Sequence, residues 1–187
     1  MEKKKIFTLI FLILMIIFIS VTFLFISPAE IVKLIGIENS YLFLGIVAFL
    51  GGISLLIPFP YYVITFSLGA AGLNPFLLGL FAGMGTLLGD TTSYYLAYFG
   101  KKVLTKKEPK FLKRVFNFTS KKNPIKFLIF AFFYSCFIPL PDDLFMIPAG
   151  MIRYPFKRLA IAMGLGKIVL NTFIAFAGFY GWNILVT

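Results

Sequence analysis

Hydrophobic and polar positions divide this chain into long apolar runs separated by two proline breaks and one basic stretch. Ile6 to Ile26 is an apolar run of 21 residues, preceded by Lys3, Lys4 and Lys5. That length crosses the ~30 Å hydrocarbon layer of a bilayer as a helix. A signal peptide has a shorter apolar core and a small-x-small cleavage site, so a retained anchor helix is the expectation. Tyr41 to Ile57 is the next run. Its 17 residues would rise only ~25 Å as a helix. Pro75 to Phe99 is long enough for a tilted span. Ile125 to Ile138 is a second short run, and Phe156 to Trp182 the last long one.

The two short runs each end at a break. The first is LLIPFPYYVITFSLG, residues 55 to 69, with Pro58 and Pro60 inside it; the second is FIPLPDDLFMIPAG, residues 137 to 150, with Pro139 and Pro141. Proline removes a helix hydrogen bond and clashes with the preceding turn, so neither break continues a spanning helix. Between the halves, Lys101 to Lys122 carries nine Lys or Arg and one acid, Glu108. Phe111, Leu112, Val115, Phe116 and Thr119 recur there at helical spacing. A short amphipathic helix on the membrane surface and a solvated basic loop are equal readings of it.

The breaks repeat. I-P-x-P-x8-G occurs at Ile57–Gly69 and again at Ile138–Gly150, an offset of 81. At the same offset Gly83 and Gly85 match Gly164 and Gly166, Thr91 matches Thr172, Gly100 matches Gly181, and Asp90 falls on Asn171. A hairpin plus one crossing is an odd number of passes, so two such units are inverted relative to each other, a recurring transporter design. Non-helical backbone cannot face lipid. Two Pro-x-Pro tips entering from opposite leaflets can shield each other around a polar cavity.

Composition changes the picture from helical to membrane-embedded. The chain of 187 residues is 60% hydrophobic with a mean hydropathy of +0.96, above the near-half apolar content of soluble domains. It has no histidine and one cysteine, Cys136. Internal disulfides, the usual zinc sites and Ser-His-Asp or Cys-His catalysis are thereby excluded. The net charge of +11 would suggest nucleic acid in a soluble protein. Here the cations flank apolar runs, so anionic headgroups are the expected neighbours and nucleic acid is not. Positive charge also orients the chain. With the N-terminus inside and both breaks turning back, residues 101–122 and Arg153, Lys157 and Arg158 all face the cytoplasm, and the C-terminus lies outside.

The expected fold is therefore an all-α integral membrane protein made of two inverted repeats, each a re-entrant helical hairpin plus a transmembrane helix, with an additional N-terminal transmembrane helix. The expected divisions are residues 1–40 for the anchor helix and outer loop, 41–100 for the first repeat, 101–124 for the basic cytoplasmic amphipathic loop and 125–187 for the second repeat.

Ionisable residues inside apolar segments mark functional sites. Asp142 and Asp143, beside the second break, are the foremost candidates. Adjacent carboxylates in a low-dielectric tip cannot both ionise cheaply, which suits a proton or cation carrier. The competing reading is that Asp142 only caps the following helix. Asp90 shares a helix face with Gly83, Thr86 and Ala97, while Lys167 and Asn171 share one with Gly164 and Gly178. Such stripes mark a helix interface or a cavity lining. Lys167 and Arg153 could hold a phosphate. Asn171, Thr86, Tyr61 and Tyr62 are cavity-lining candidates, and Pro58, Pro60, Pro139 and Pro141 the re-entrant tips. GLFAGMGTLLGD, residues 79 to 90, lacks the G-x-x-x-x-G-K-[ST] of a nucleotide loop. Tyr94, Tyr95, Tyr98 and Trp182 read as interfacial or packing aromatics, and Cys136 as inert packing.

The order hairpin, crossing, basic loop, hairpin, crossing, with the I-P-x-P-x8-G motifs, resembles the DedA family, also called SNARE-associated Golgi or VTT-domain proteins. Gly89-Asp90 followed by Tyr94 and Gly100 resembles the family's pattern after its first hairpin, and the resemblance covers about residues 41–181. It implies movement or scrambling of polyprenyl phosphate or phospholipid across a bilayer, with dependence on the proton gradient in some members. The chain departs from the pattern twice. Tyr61 and Tyr62 stand where many bacterial relatives have an acidic residue, and Ser135, Cys136, Asp142 and Asp143 where arginines are common.

The resulting expectation is a multi-pass cell-membrane transporter, flippase or scramblase for a phosphorylated lipid, with no enzymatic reaction, cofactor or metal. Asp142, Asp143 and Asp90 would serve ion coupling, to protons or cations, and Lys167 and Arg153 would offset phosphate charge. The partners are membrane lipids, anionic phospholipid or polyprenyl phosphate, with the oligomeric state open. One alternative is a non-transporting membrane scaffold. The other is an intramembrane aspartyl protease, although residues 87–90 read Leu-Leu-Gly-Asp and not G-x-G-D, and no Tyr-Asp pair exists.

Overall fold

A computed structural model describes residues 28–53, 61–104, 124–137 and 142–186. The described residues form seven helices and no strands. In chain order these are α1 (Pro28–Ile35), α2 (Ile37–Gly52), α3 (Tyr61–Ala70), α4 (Pro75–Leu104), α5 (Pro124–Phe137), α6 (Asp143–Met151) and α7 (Phe156–Val186). The anchor segment Ile6–Ile26, the four tip prolines and most of the basic stretch lie outside the described residues.

Local sequence sets the helix ends. Asn74 Oδ1 accepts hydrogen bonds from the Phe76 and Leu77 amides at 2.9 and 3.4 Å, and Pro75 takes the first helical position of α4. An Asx cap followed by proline is a strong helix start, because proline lacks only an N–H that would go unpaired anyway. At the end of α3, Gly72 has φ 88°, and the amides of Gly72 and Leu73 bond back to the carbonyls of Gly69 and Leu68. This left-handed C-terminal turn satisfies carbonyls that the helix leaves free. The turn after α6 is built the same way. There Arg153 holds φ 57°, and the amides of Arg153 and Tyr154 bond to the carbonyls of Gly150 and Ala149.

The two long helices pack against each other at the centre. α2 and α6 pack on α4, while α3 and α5 pack on α7. Two glycines permit close crossings. A Cβ at Gly69 on α3 would collide with the Ala175 carbonyl of α7, and one at Gly150 on α6 with the Tyr94 carbonyl of α4.

Polarity runs inside out. Ser40, Thr65, Thr86, Asp90, Ser93, Ser135, Asp142, Lys167 and Asn171 are buried, while Ile46, Phe76, Met84, Leu96, Ile129, Phe133, Leu165 and Phe173 are exposed. Water-facing surfaces rarely carry so large an apolar area. Phe156–Gly181, 26 residues, is the one helical stretch among the described residues long and apolar enough to cross a bilayer by length and composition. The 75–99 segment, expected as a second crossing, lies in the 30-residue α4 but falls outside that group. Five glycines between Gly79 and Gly100, with Thr86, Asp90, Thr91 and Thr92, dilute its hydropathy.

Candidate polar cluster in the helical core

Five elements deliver polar side chains to one buried place. Lys167 projects from the middle of α7 and is 4% exposed. Its Nζ lies 3.2 Å from Asp142 Oδ2 and donates to Tyr62 Oη on α3, also at 3.2 Å. Asp142 occupies the N-cap position of α6 and is 1% exposed. Ser135 on α5 donates to the same Oδ2 at 3.4 Å. Asp90, 3% exposed on α4, lies close enough to Asp142 for the two carboxyls to interact electrostatically. Tyr61 is buried beside them, close enough to interact electrostatically with both aspartates.

The charge balance is uneven. Lys167 is the one buried cation among the described residues, and it faces two buried carboxyls. An unpaired buried charge is costly, and a paired one recovers its desolvation only with good geometry and further hydrogen bonds. Asp90 Oδ2, Asp142 Oδ1, Tyr61 Oη and Asn171 Oδ1 are buried without a hydrogen bond to any described residue. The cluster therefore keeps unused hydrogen-bonding capacity at four buried atoms.

Several sequence expectations take a different form here. The aspartate nearest Asp142 across the core is Asp90, from another helix, while Asp143 is only half buried and acts electrostatically on Asp90. Asp142 stands at the N-cap, but its side chain makes no capping hydrogen bond. It turns to Lys167 and Ser135 instead. Arg153 does not join Lys167. It is exposed in the turn after α6, with its guanidinium 4.9 Å from the centre of the Tyr98 ring. Asn171 donates to the Lys167 carbonyl at 2.9 Å, and Thr86 bonds back to the Ala82 and Gly83 carbonyls. Both support their own helices. Ser135 joins the cluster without any expectation from sequence, and a hydroxyl within the apolar run FAFFYSCF is the signal that points to it.

The VTT-domain pattern matches residues 59–180. The match begins inside the first proline motif and reaches nearly to the end of the last long helical run, covering α3 to α6 and most of α7. This chain belongs to the VTT-domain family, that of the DedA and SNARE-associated Golgi proteins, which are membrane proteins. No curated protein and no solved structure gives a significant match.

Proposed function

We propose that the protein moves a phosphorylated lipid across a bilayer, with the buried cluster around Lys167 receiving the headgroup. The observation that carries this reading is an ion pair with a second carboxyl beside it, sealed inside a helical protein whose outer surface is apolar. An aspartate at the bilayer centre costs ~2.5–3.5 kcal/mol on insertion scales, and such residues line substrate and ion pathways. Lys167 supplies the positive charge for phosphate. Asp90 and Asp142 handle the accompanying proton or cation.

An inverted-repeat architecture is part of the proposal. α3 and α6 begin at Tyr61 and Asp143, and α4 and α7 at Pro75 and Phe156, offsets of 82 and 81 positions. The tight contacts recur at the same spacing. Gly69 meets Ala175 as Gly150 meets Tyr94, and Gly83 meets Ile168 as Gly164 meets Leu87, each pair displaced by 81. An exchange of this kind is what a two-fold axis between the units produces. The cluster draws on equivalent positions, since Tyr61, Thr86 and Asp90 correspond to Asp142, Lys167 and Asn171, and all six are buried. Equivalent positions carrying different groups would give one asymmetric site on the axis. In this arrangement α4 and α7 cross the membrane, the hairpins enter from opposite sides, and the basic stretch 101–122 lies in the cytoplasm with the C-terminus outside.

The closeness of Asp90 to Asp142 also suits an aspartic protease dyad. Lys167 and Ser135, however, already engage one Asp142 oxygen, and residues 87–90 lack the first glycine of G-x-G-D. Reconstitution decides among the readings. Liposomes containing the purified protein should expose an inner-leaflet labelled phospholipid or polyprenyl phosphate to an outer quencher faster than empty liposomes do. A rate equal to that of empty liposomes favours the scaffold, and cleavage of a membrane peptide favours the protease.

A further inference from the structure

Lys167 Nζ already holds an anion. Asp142 Oδ2 sits 3.2 Å from it, and the Ser135 hydroxyl reaches the same oxygen. A phosphate oxygen arriving at this ammonium would meet the ionised carboxylate on the same donors, and like charges in contact in a low-dielectric core exclude each other. We propose that the Asp142 carboxylate occupies the seat of the lipid phosphate, so that headgroup binding displaces Asp142 from Lys167 and takes up one proton. This rests on the lipid-transport reading above and adds the order of events at its site.

Three features of the geometry favour an exchangeable occupant. Asp142 Oδ2 is held by Lys167 and Ser135, its side chain makes no bond to the helix it precedes, and its other carboxyl oxygen has no described hydrogen-bond partner. Rotation of one side chain therefore vacates the seat without unwinding α6. The seat offers an ammonium and a hydroxyl, with the Tyr62 hydroxyl also on Nζ, which is a donor set suited to a phosphate diester or monoester. The displaced carboxylate remains near Asp90. Having lost Lys167, the displaced Asp142 carboxylate has no other buried cation among the described residues to pair with, and it accepts a proton from solvent. The phosphate charge replaces the Asp142 charge at Lys167, so the cluster keeps its total charge.

The groups facing Asp142 are Tyr61 and Tyr62 on α3, Asp90 on α4, Tyr134 and Ser135 on α5, Asp143 beside it and Lys167 on α7. Tyrosines and lysine ordinarily titrate near pH 10, so between about pH 5.5 and 8.5 the proton is expected on a carboxyl. Short-chain phosphatidylglycerol is a suitable probe because its diester charge is constant over that range. For the full-length protein in detergent, its affinity should fall by about tenfold for each unit rise in pH where one proton is taken up on binding. Calorimetry in buffers of different ionisation enthalpy should read that proton directly. Asp142→Asn should bind at every pH with the slope lost, and Lys167→Gln should not bind.

If Lys167→Gln fails to fold, Asp142→Asn/Lys167→Gln removes both charges together, and it too should not bind. Lys167-dependent binding with no proton uptake, or an unchanged slope in Asp142→Asn, overturns the exchange and leaves the lipid site standing. Absence of binding by the wild type and by Asp142→Asn at all pH values overturns both.

Discussion

Removing the two partners of the buried ion pair should have unequal effects. At 3.2 Å the Coulomb attraction of unit charges is about 5 kcal/mol with an effective dielectric of 20. Breaking one partner of a buried pair costs about 3–5 kcal/mol, because the other charge is left in the core. Lys167→Gln leaves Asp142 and Asp90 facing each other with no buried cation among the described residues, so its loss belongs at the upper end. Asp142→Asn leaves Lys167 with the Tyr62 hydroxyl and with Asp90 close enough to interact, so its loss should be less than half as large. The double variant removes the conflict and should recover much of the Lys167→Gln deficit. For a chain of this length 1 kcal/mol moves Tm by about 2–4 °C, so a loss of about 4–5 kcal/mol should make Lys167→Gln melt about 8–20 °C lower. Thermal unfolding in detergent, followed by loss of the monodisperse chromatographic peak, measures all four proteins. Since a protonated carboxyl is cheap to bury, the Lys167→Gln deficit should shrink as pH falls. Equal losses in the two single variants, adding in the double, would refute the assigned geometry.

Gly69→Ala and Gly150→Ala should each destabilise by about 1–3 kcal/mol through overpacking, since the added carbon meets backbone carbonyls. Gly181→Ala, with no atom within 4 Å of the new carbon, should stabilise by up to about 1 kcal/mol through helix propensity; melting temperatures that rank the three otherwise contradict the packing. Single cysteines at Ser120 and Asn183 in a Cys136→Ala background should react from opposite sides of the membrane in intact cells, and labelling of both from one side would exclude the inverted topology.

Much of the helical framework was legible in the sequence because it rests on local rules. Asn74-Pro75 is a helix start in any context, and Gly72 marks the end of the helix before it. The carboxyl pair was less accessible. Asp142 and Asp143 are neighbours in sequence, but successive helical residues point about 100° apart, so both cannot face the same partner. Asp90, 52 positions earlier, reaches Asp142 only because α6 packs on α4, a tertiary fact with no local signature. The place of Arg153 was equally tertiary. Its left-handed turn places it over Tyr98, apart from Lys167. Lys167 was recognisable because a lysine deep in an apolar run demands a partner, although which aspartate held it depended on packing.

Lipid movement by a folded protein lacking only the buried charges bears most directly on the proposed function. Asp142→Asn/Lys167→Gln keeps both side chains polar and close to their original volume, and removes the ion pair. Reconstituted at equal density and with a melting temperature near that of the wild type, it should translocate labelled phosphorylated lipid no faster than protein-free liposomes, while the wild type does so well above that background. Wild-type rates from the neutral double variant would contradict a role for Lys167 and Asp142 in carrying the headgroup.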